Sequence, residues 1–97
     1  MIMNLRIKQS ASFKRSAKKL SKQLKLALDD EIKKLLQNPT LGESKKGDLD
    51  FLRVHKFKFS NQELLLGYMY TEDELILTLL KLASHENFYR DIKKLVN

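Results

Sequence analysis

The sequence predicts one α+β domain in which a sheet packs against a helical hairpin, with elements in the order β-α-α-β-β-β-α. Three observations carry that reading. Two adjoining segments between Ser10 and Asn38 repeat apolar residues at helical spacing. Three runs between Phe51 and Ala83 hold strand-type residues separated by short polar turns. The last segment, "SHENFYRDIKK" (84–94), returns to helical spacing. A chain of 97 residues holds a single core, so residues 1–97 are taken as one domain.

Each element has a local reason. Met3, Leu5 and Ile7 alternate with Asn4, Arg6 and Lys8, which makes 3–7 a short half-buried strand. Ser10 or Ser12 can cap a helix that ends near Leu20, because a serine oxygen accepts from a free N–H of the first turn. Phe13, Ala17 and Leu20 form its apolar stripe. Ser21 caps a second helix with Leu24, Leu28, Ile32, Leu35 and Leu36 on one face. Asn38-Pro39 ends it, since proline disfavours the helical conformation in the residue before it.

The polar stretch "TLGESKKGDLD" (40–50) reads as a loop punctuated by Gly42 and Gly47. In "FLRVHKFKF" (51–59), Phe51, Arg53, His55, Phe57 and Phe59 alternate against Leu52, Val54, Lys56 and Lys58, the period of a strand. "SNQ" and "TEDE" are turns. "ELLLGYMY" (63–70) and "LILTLLKLA" (75–83) then complete a three-stranded antiparallel meander. Ser84 caps a C-terminal helix whose stripe is Phe88, Ile92, Leu95 and Val96.

Composition narrows the function classes. There is no cysteine, so disulfides and thiolate metal sites are excluded. The longest near-apolar run, 75–82, is broken by Thr78 and Lys81 and is too short to span a bilayer. With no secretory signal at the start, a cytoplasmic location is expected. The three glycines are too far apart for a phosphate loop, and His55, His85 and the acids lack metal-ligand spacing. Neither a metal nor a cofactor is expected.

Charge is the informative total. The net charge is +7, and residues 1–60 carry fifteen Lys/Arg against six Asp/Glu, a net of +9. Residues 61–97 carry four against six, a net of −2. Between Arg6 and Lys25 stand eight basic residues and no acid. Lysine-rich helix faces are common, but clustering of this kind points to a polyanion or an acidic protein partner. The apolar stripe of the basic helices is needed for the core of so small a domain, so a membrane partner is discounted.

A strand, two basic helices ending in "NP", "KKGDLDFLRV" (45–54), a three-stranded meander and then "HENFYRDIKK" (85–94) follow one another. In that order and at this size the chain resembles the RelE/ParE superfamily of type II toxin–antitoxin toxins, over nearly its whole length. The resemblance implies a RelE-like fold and a cognate antitoxin that wraps the toxin. It also implies one of two activities. RelE-like and YafQ-like toxins are endoribonucleases that cut mRNA, typically on the ribosome, and so inhibit translation; ParE-like toxins poison DNA gyrase. A toxin-like protein that only binds its antitoxin is the third alternative.

Cutting RNA without a metal uses the substrate's own 2′-hydroxyl as nucleophile. It needs a base for the hydroxyl proton, an acid for the departing 5′-oxygen, and cations for the charge building on phosphorus. Histidine, with an ordinary pKa of about 6.5, serves in either proton role at neutral pH. Arginine and lysine meet phosphate, and an aromatic ring stacks on an unpaired base. His85 and Tyr89, one helical turn apart, are the leading catalytic pair. By spacing alone, a polar helix start beside a packed ring is the commoner meaning of such a pair. By resemblance, YafQ-like toxins carry a histidine at the place of His85 and an aromatic at that of Tyr89. RelE-like toxins carry a tyrosine at that of Tyr89.

Arg53 and His55 share one strand face and form the second catalytic group, a phosphate cation and a further proton carrier. The match is looser there, since YafQ-like toxins have "R-x-x-H" where this chain has "RVH". Lys45, Lys46, Lys56 and Lys81 complete the expected set as RNA phosphate contacts. RelE-like toxins also carry an arginine early in the third strand, where "ELLLGYMY" has leucine. The transition-state cation then comes from Arg53 or a lysine, and the expectation is one basic cleft shared by His85, Tyr89 and Arg53.

Overall fold

Two serines start the helices of the hairpin. Ser10 and Ser21, both extended, accept hydrogen bonds from the Phe13 and Leu24 amides at 3.0 and 3.1 Å. They open α1 (Ala11–Lys18) and α2 (Lys22–Gln37). Ser10, rather than Ser12, is therefore the first cap, and α2 ends two residues before Pro39 as the sequence predicts. The remaining elements are β1 (Arg6–Gln9), β2 (Glu43–Ser44), β3 (Arg53–Phe59), β4 (Gln62–Thr71), β5 (Ile76–Ser84) and α3 (His85–Ile92). The computed structural model describes residues 5–45, 47 and 51–92; the side chain of Ile92, with Leu95 and Val96 of the predicted stripe, lies outside the described residues.

The five strands form one sheet in the order β1-β5-β4-β3-β2. β3, β4 and β5 are the predicted antiparallel meander. Its first turn places Ser60 and Asn61 at φ 51 and 65, the left-handed pair that a two-residue hairpin loop requires. β1 joins the outer edge of β5 in parallel, from Arg6 opposite Ile76 to Gln9 opposite Leu79. It runs beyond the predicted end at Ile7, while Met3 and Asn4 lie outside the described residues; all four of its residues are exposed, because an edge position leaves the strand uncovered. The stretch predicted as loop contributes β2, in which Glu43 and Ser44 pair with Val54 and Arg53. Two residues carry no periodicity that a sequence reading can detect.

Alternation sends the sheet's side chains to two faces. Phe57, Leu66, Tyr68 and Leu77 are buried against Phe13, Leu28 and Leu35 of the hairpin. Leu52, Val54 and Leu65 are buried on the other face with Phe88 of α3. A register shift after Gly67 leaves Leu80 as an extra residue of β5. Leu79 and Leu82, three apart, consequently both meet the hairpin.

One contact ties each helical layer to the sheet. On the hairpin side, His55 Nε2 meets Glu31 Oε1 at 2.7 Å, where α2 covers β3. Partial burial by itself would raise the Glu31 carboxyl. Hydrogen bonds from His55 and from Lys34, the latter at 3.0 Å, outweigh it and hold the group below its ordinary 4.5. On the other side Phe88, fully buried, lies against Gly67; a Cβ built on that glycine would come within 2.6 Å of the ring. Among the described residues, no helix is long and apolar enough to cross a membrane.

Two measurements check these ties. Gly67→Ala should cost about 1–3 kcal/mol in urea unfolding, since the Phe88 ring is enclosed and has no room to retreat. A variant as stable as the parent would show that α3 lifts from the sheet without penalty. For Glu31, a folded pKa below the unfolded one adds stability above the unfolded value and loses it as pH falls through the folded one. Glu31→Gln should therefore destabilise the protein by about 1 kcal/mol at neutral pH. Unfolding curves repeated below the ordinary 4.5 should show that difference shrinking, and a pH-independent difference would contradict the assignment.

Candidate active site

α3 starts at His85 with no loop after β5, so the strand delivers the helix directly onto the sheet. With Phe88 turned down into the core, the residues before and after it fall at the rim: His85 is exposed and Tyr89 half-buried. Their rings meet edge-on, with centroids 5.3 Å apart and planes at 65°. Tyr89 also meets Phe88 edge-on at 5.2 Å. The phenol ring is thus braced on two sides.

β2 brings a cation to the same rim. The Lys45 amide donates to the Leu52 carbonyl at 3.1 Å, and its Nζ lies 5.3 Å from the centroid of the Tyr89 ring, within the range of cation–π attraction. That Nζ also donates to Glu43 Oε1 at 3.0 Å. The Tyr89 side chain first, and the Glu43 carboxylate next, hold the Lys45 ammonium above its ordinary range, so it stays charged. Lys45, helped by Lys56, holds the exposed Glu43 carboxyl below its ordinary range in return. Glu43 is absent from the predicted set, since a lone glutamate in a polar loop carries no motif.

Lys56 is exposed, in step with Val54 on the α3 side of the sheet. Lys81 pairs with Asp91 of α3 at 3.2 Å, which adds a polar strap between helix and sheet. Lys46 lies outside the described residues. Among those that are described, no three histidine, aspartate or glutamate side chains gather as a metal would need.

Arg53 and His55 do not join this cluster. They alternate with Leu52 and Val54 and so face the hairpin, while α3 covers the opposite side. Arg53 Nη1 donates to the carbonyls of Gly42 at 2.8 Å and Thr40 at 3.3 Å. His55 is held by Glu31 as described, its side chain 11% exposed. The single cleft expected from the sequence is corrected here: the strand presents its arginine and histidine to one helical layer, and the last helix docks on the other. Tyr68, opposite Arg53 in β4, is a residue that the sequence reading passed over. Fully buried, its hydroxyl donates to the Pro39 carbonyl at 2.7 Å and accepts from the Gly42 amide at 2.9 Å.

No curated protein matches the chain in sequence. Among solved structures it is similar to Escherichia coli RelE in the intact RelBE toxin–antitoxin complex. That match has a TM-score of 0.66 at 13% identity and covers 80% of this chain and 93% of that one. A mutant E. coli RelE in the free state matches with a TM-score of 0.69 at 13% identity, covering 91% and 94%. A conserved hypothetical protein from Helicobacter pylori matches at 0.53 and 22% identity, covering 87% and 98%. At such identities the likeness is one of fold, and the strand and helix order is that of RelE. The family model for ParE-like toxins of type II bacterial toxin–antitoxin systems matches residues 7–93. Nearly the whole chain is that domain, and this protein belongs to the ParE-like toxin family of type II toxin–antitoxin systems.

Proposed function

We propose that this toxin is an endoribonuclease that cuts mRNA on the ribosome by a route needing no metal, and so blocks translation in the cytoplasm. The supporting observation is the meeting of a fixed cation, a phenol and an imidazole on one exposed rim, Lys45, Tyr89 and His85. In the proposed reaction the 2′-oxygen bonds to phosphorus as the bond to the 5′-oxygen breaks. His85, exposed at the helix start, gives a proton to the leaving 5′-oxygen. Glu43, kept ionised by Lys45 and Lys56, takes the proton of the 2′-hydroxyl. Lys45 and Lys56 meet the phosphate, with Lys46 and Lys81 as outer contacts, and Tyr89 stacks on a base or touches the phosphate. Arg53 and His55 have no place in this scheme, being engaged on the far face.

The partner is inferred from the same likeness. The similar RelE structure is a complex with its antitoxin, and we infer a cognate antitoxin here. A groove of about 410 Å³ runs between α1 and α2, floored by Phe13, Leu28 and Ile32 and edged by Lys14, Lys18 and Lys25 against the one acid Asp29. Its apolar floor and cationic rim suit an acidic amphipathic segment.

His85→Ala should lower cleavage by about 10²–10⁴-fold, the usual loss when a positioned proton donor is removed. Its unfolding midpoint should stay near that of the parent, because His85 is exposed. Primer extension on a reporter transcript after induction reads the cleavage. Undiminished toxicity of the variant, with intact transcripts and accumulating DNA breaks, would identify a gyrase poison instead.

A further inference from the structure

We infer that Tyr68 and Arg53 are positioning residues that act through the sheet: from the hairpin face they clamp residues 39–42 and thereby fix Lys45 beside Tyr89 on the other face. The inference rests on the proposed role of that rim in catalysis.

Both polar groups of the Gly42 backbone are taken by these two side chains. Its N–H donates to the Tyr68 hydroxyl at 2.9 Å, and its carbonyl accepts from Arg53 Nη1 at 2.8 Å. The same hydroxyl donates to the Pro39 carbonyl at 2.7 Å, and the same Nη1 to that of Thr40 at 3.3 Å. Four backbone groups in four residues are thus held by one cross-strand pair, Arg53 opposite Tyr68. The clamp is also sterically closed. A Cβ on Gly42 would lie 2.7 Å from both the hydroxyl and the ring edge of Tyr68, so only glycine passes there.

What the clamp controls follows from chain length. Lys45 is three residues beyond Gly42, a span of about 10 Å when extended. Between them stand only the two-residue pairing of β2 with β3 and the single bond from the Lys45 amide to the Leu52 carbonyl, a short ladder that holds its position weakly without the clamp. A shift of Gly42 therefore reaches Lys45, and the 5.3 Å approach of its ammonium to the Tyr89 ring changes with it. A fully buried tyrosine spending its hydroxyl on a loop would otherwise be a stability device only. That alternative makes a different prediction.

Tyr68→Phe keeps the core ring and deletes the hydroxyl, and Arg53→Lys keeps the charge but removes the Nη1 that donates to both carbonyls, leaving an ammonium on a shorter, flexible stem. Glu31→Gln serves as the control, since it loosens the same sheet face without touching residues 39–42. In NMR spectra of the folded toxin, the Lys45 side-chain protons should carry a ring-current shift from Tyr89. That shift should collapse in Tyr68→Phe and Arg53→Lys and persist in Glu31→Gln. Cleavage should fall about tenfold to a hundredfold in the first two variants at RNA saturation, as expected for a displaced catalytic cation, and stay at the parent level in the control. An unmoved Lys45 signal in both variants would overturn the inference, as would a moved signal with unchanged cleavage. If the parent toxin itself cut no RNA, the proposed function would fall, while the NMR comparison would still decide the clamp.

Discussion

The working face of this toxin depends on one contact, the Phe88 ring against the bare backbone of Gly67. Over its eight described residues α3 is too short to be helical through its own hydrogen bonds. Its order comes from what it buries. Phe88 fills the space that a side chain on Gly67 would occupy, and Leu52, Val54 and Leu65 close around it. Once that ring is seated, helical geometry leaves no choice about its neighbours. Tyr89 falls over the β3–β2 edge, and His85, one turn back, meets it edge-on. The candidate chemistry is placed by an apolar contact that takes no part in it.

The sheet separates two tasks that the sequence puts side by side. The run 53–56 alternates arginine and histidine with valine and lysine, and each pair goes to a different layer. Arg53 and His55 fasten the loop after α2 and α2 itself, whereas Val54 and Lys56 underlie the rim. The groove between α1 and α2, edged by Lys14, Lys18 and Lys25 of the acid-free basic stretch, likewise lies on the face away from His85. A partner confined to that groove would leave the rim open to solvent. An antitoxin that covers both surfaces has to pass round an edge of the sheet, and among the described residues the edge strands are the short β2 and the exposed, cationic β1. Lysine and arginine on β1 oppose casual strand addition, so a partner's charge matters there as much as its shape.

Most of the fold was legible because its elements are periodic and well bounded. The caps at Ser10 and Ser21, the proline stop and the meander turns are local signals that the structure carries out, whereas Ser84, the third predicted cap, is the last residue of β5. The last helix was legible too, and with it the neighbouring placement of His85 and Tyr89. What escaped was everything set by tertiary register. Period-two alternation shows that Arg53 and His55 share a face, but not which helical layer covers that face. The two-residue β2 has no pattern at all, yet it carries Lys45 and Glu43 to the rim. Tyr68 looks like any aromatic in a buried strand, and its partners are 26 and 29 positions away.

The identity of the rim cations has a chemical consequence. Arginine grips phosphate with two parallel hydrogen bonds and so sets its orientation, while lysine is a compact charge on a flexible stem. With Arg53 engaged elsewhere and leucine in the third strand, the proposed reaction leaves lysine to supply the charge opposite a phosphate. A lysine left to itself would contribute attraction without geometry. Lys45 is not left to itself: Glu43 holds its ammonium at 3.0 Å, the Tyr89 ring lies below it, and the clamped loop limits where its backbone can go. Orientation that a guanidinium would supply by its own shape is supplied here by neighbours. On the proposed reading the cluster acts as a unit, since each brace removed loosens a lysine that would otherwise be a mobile surface charge.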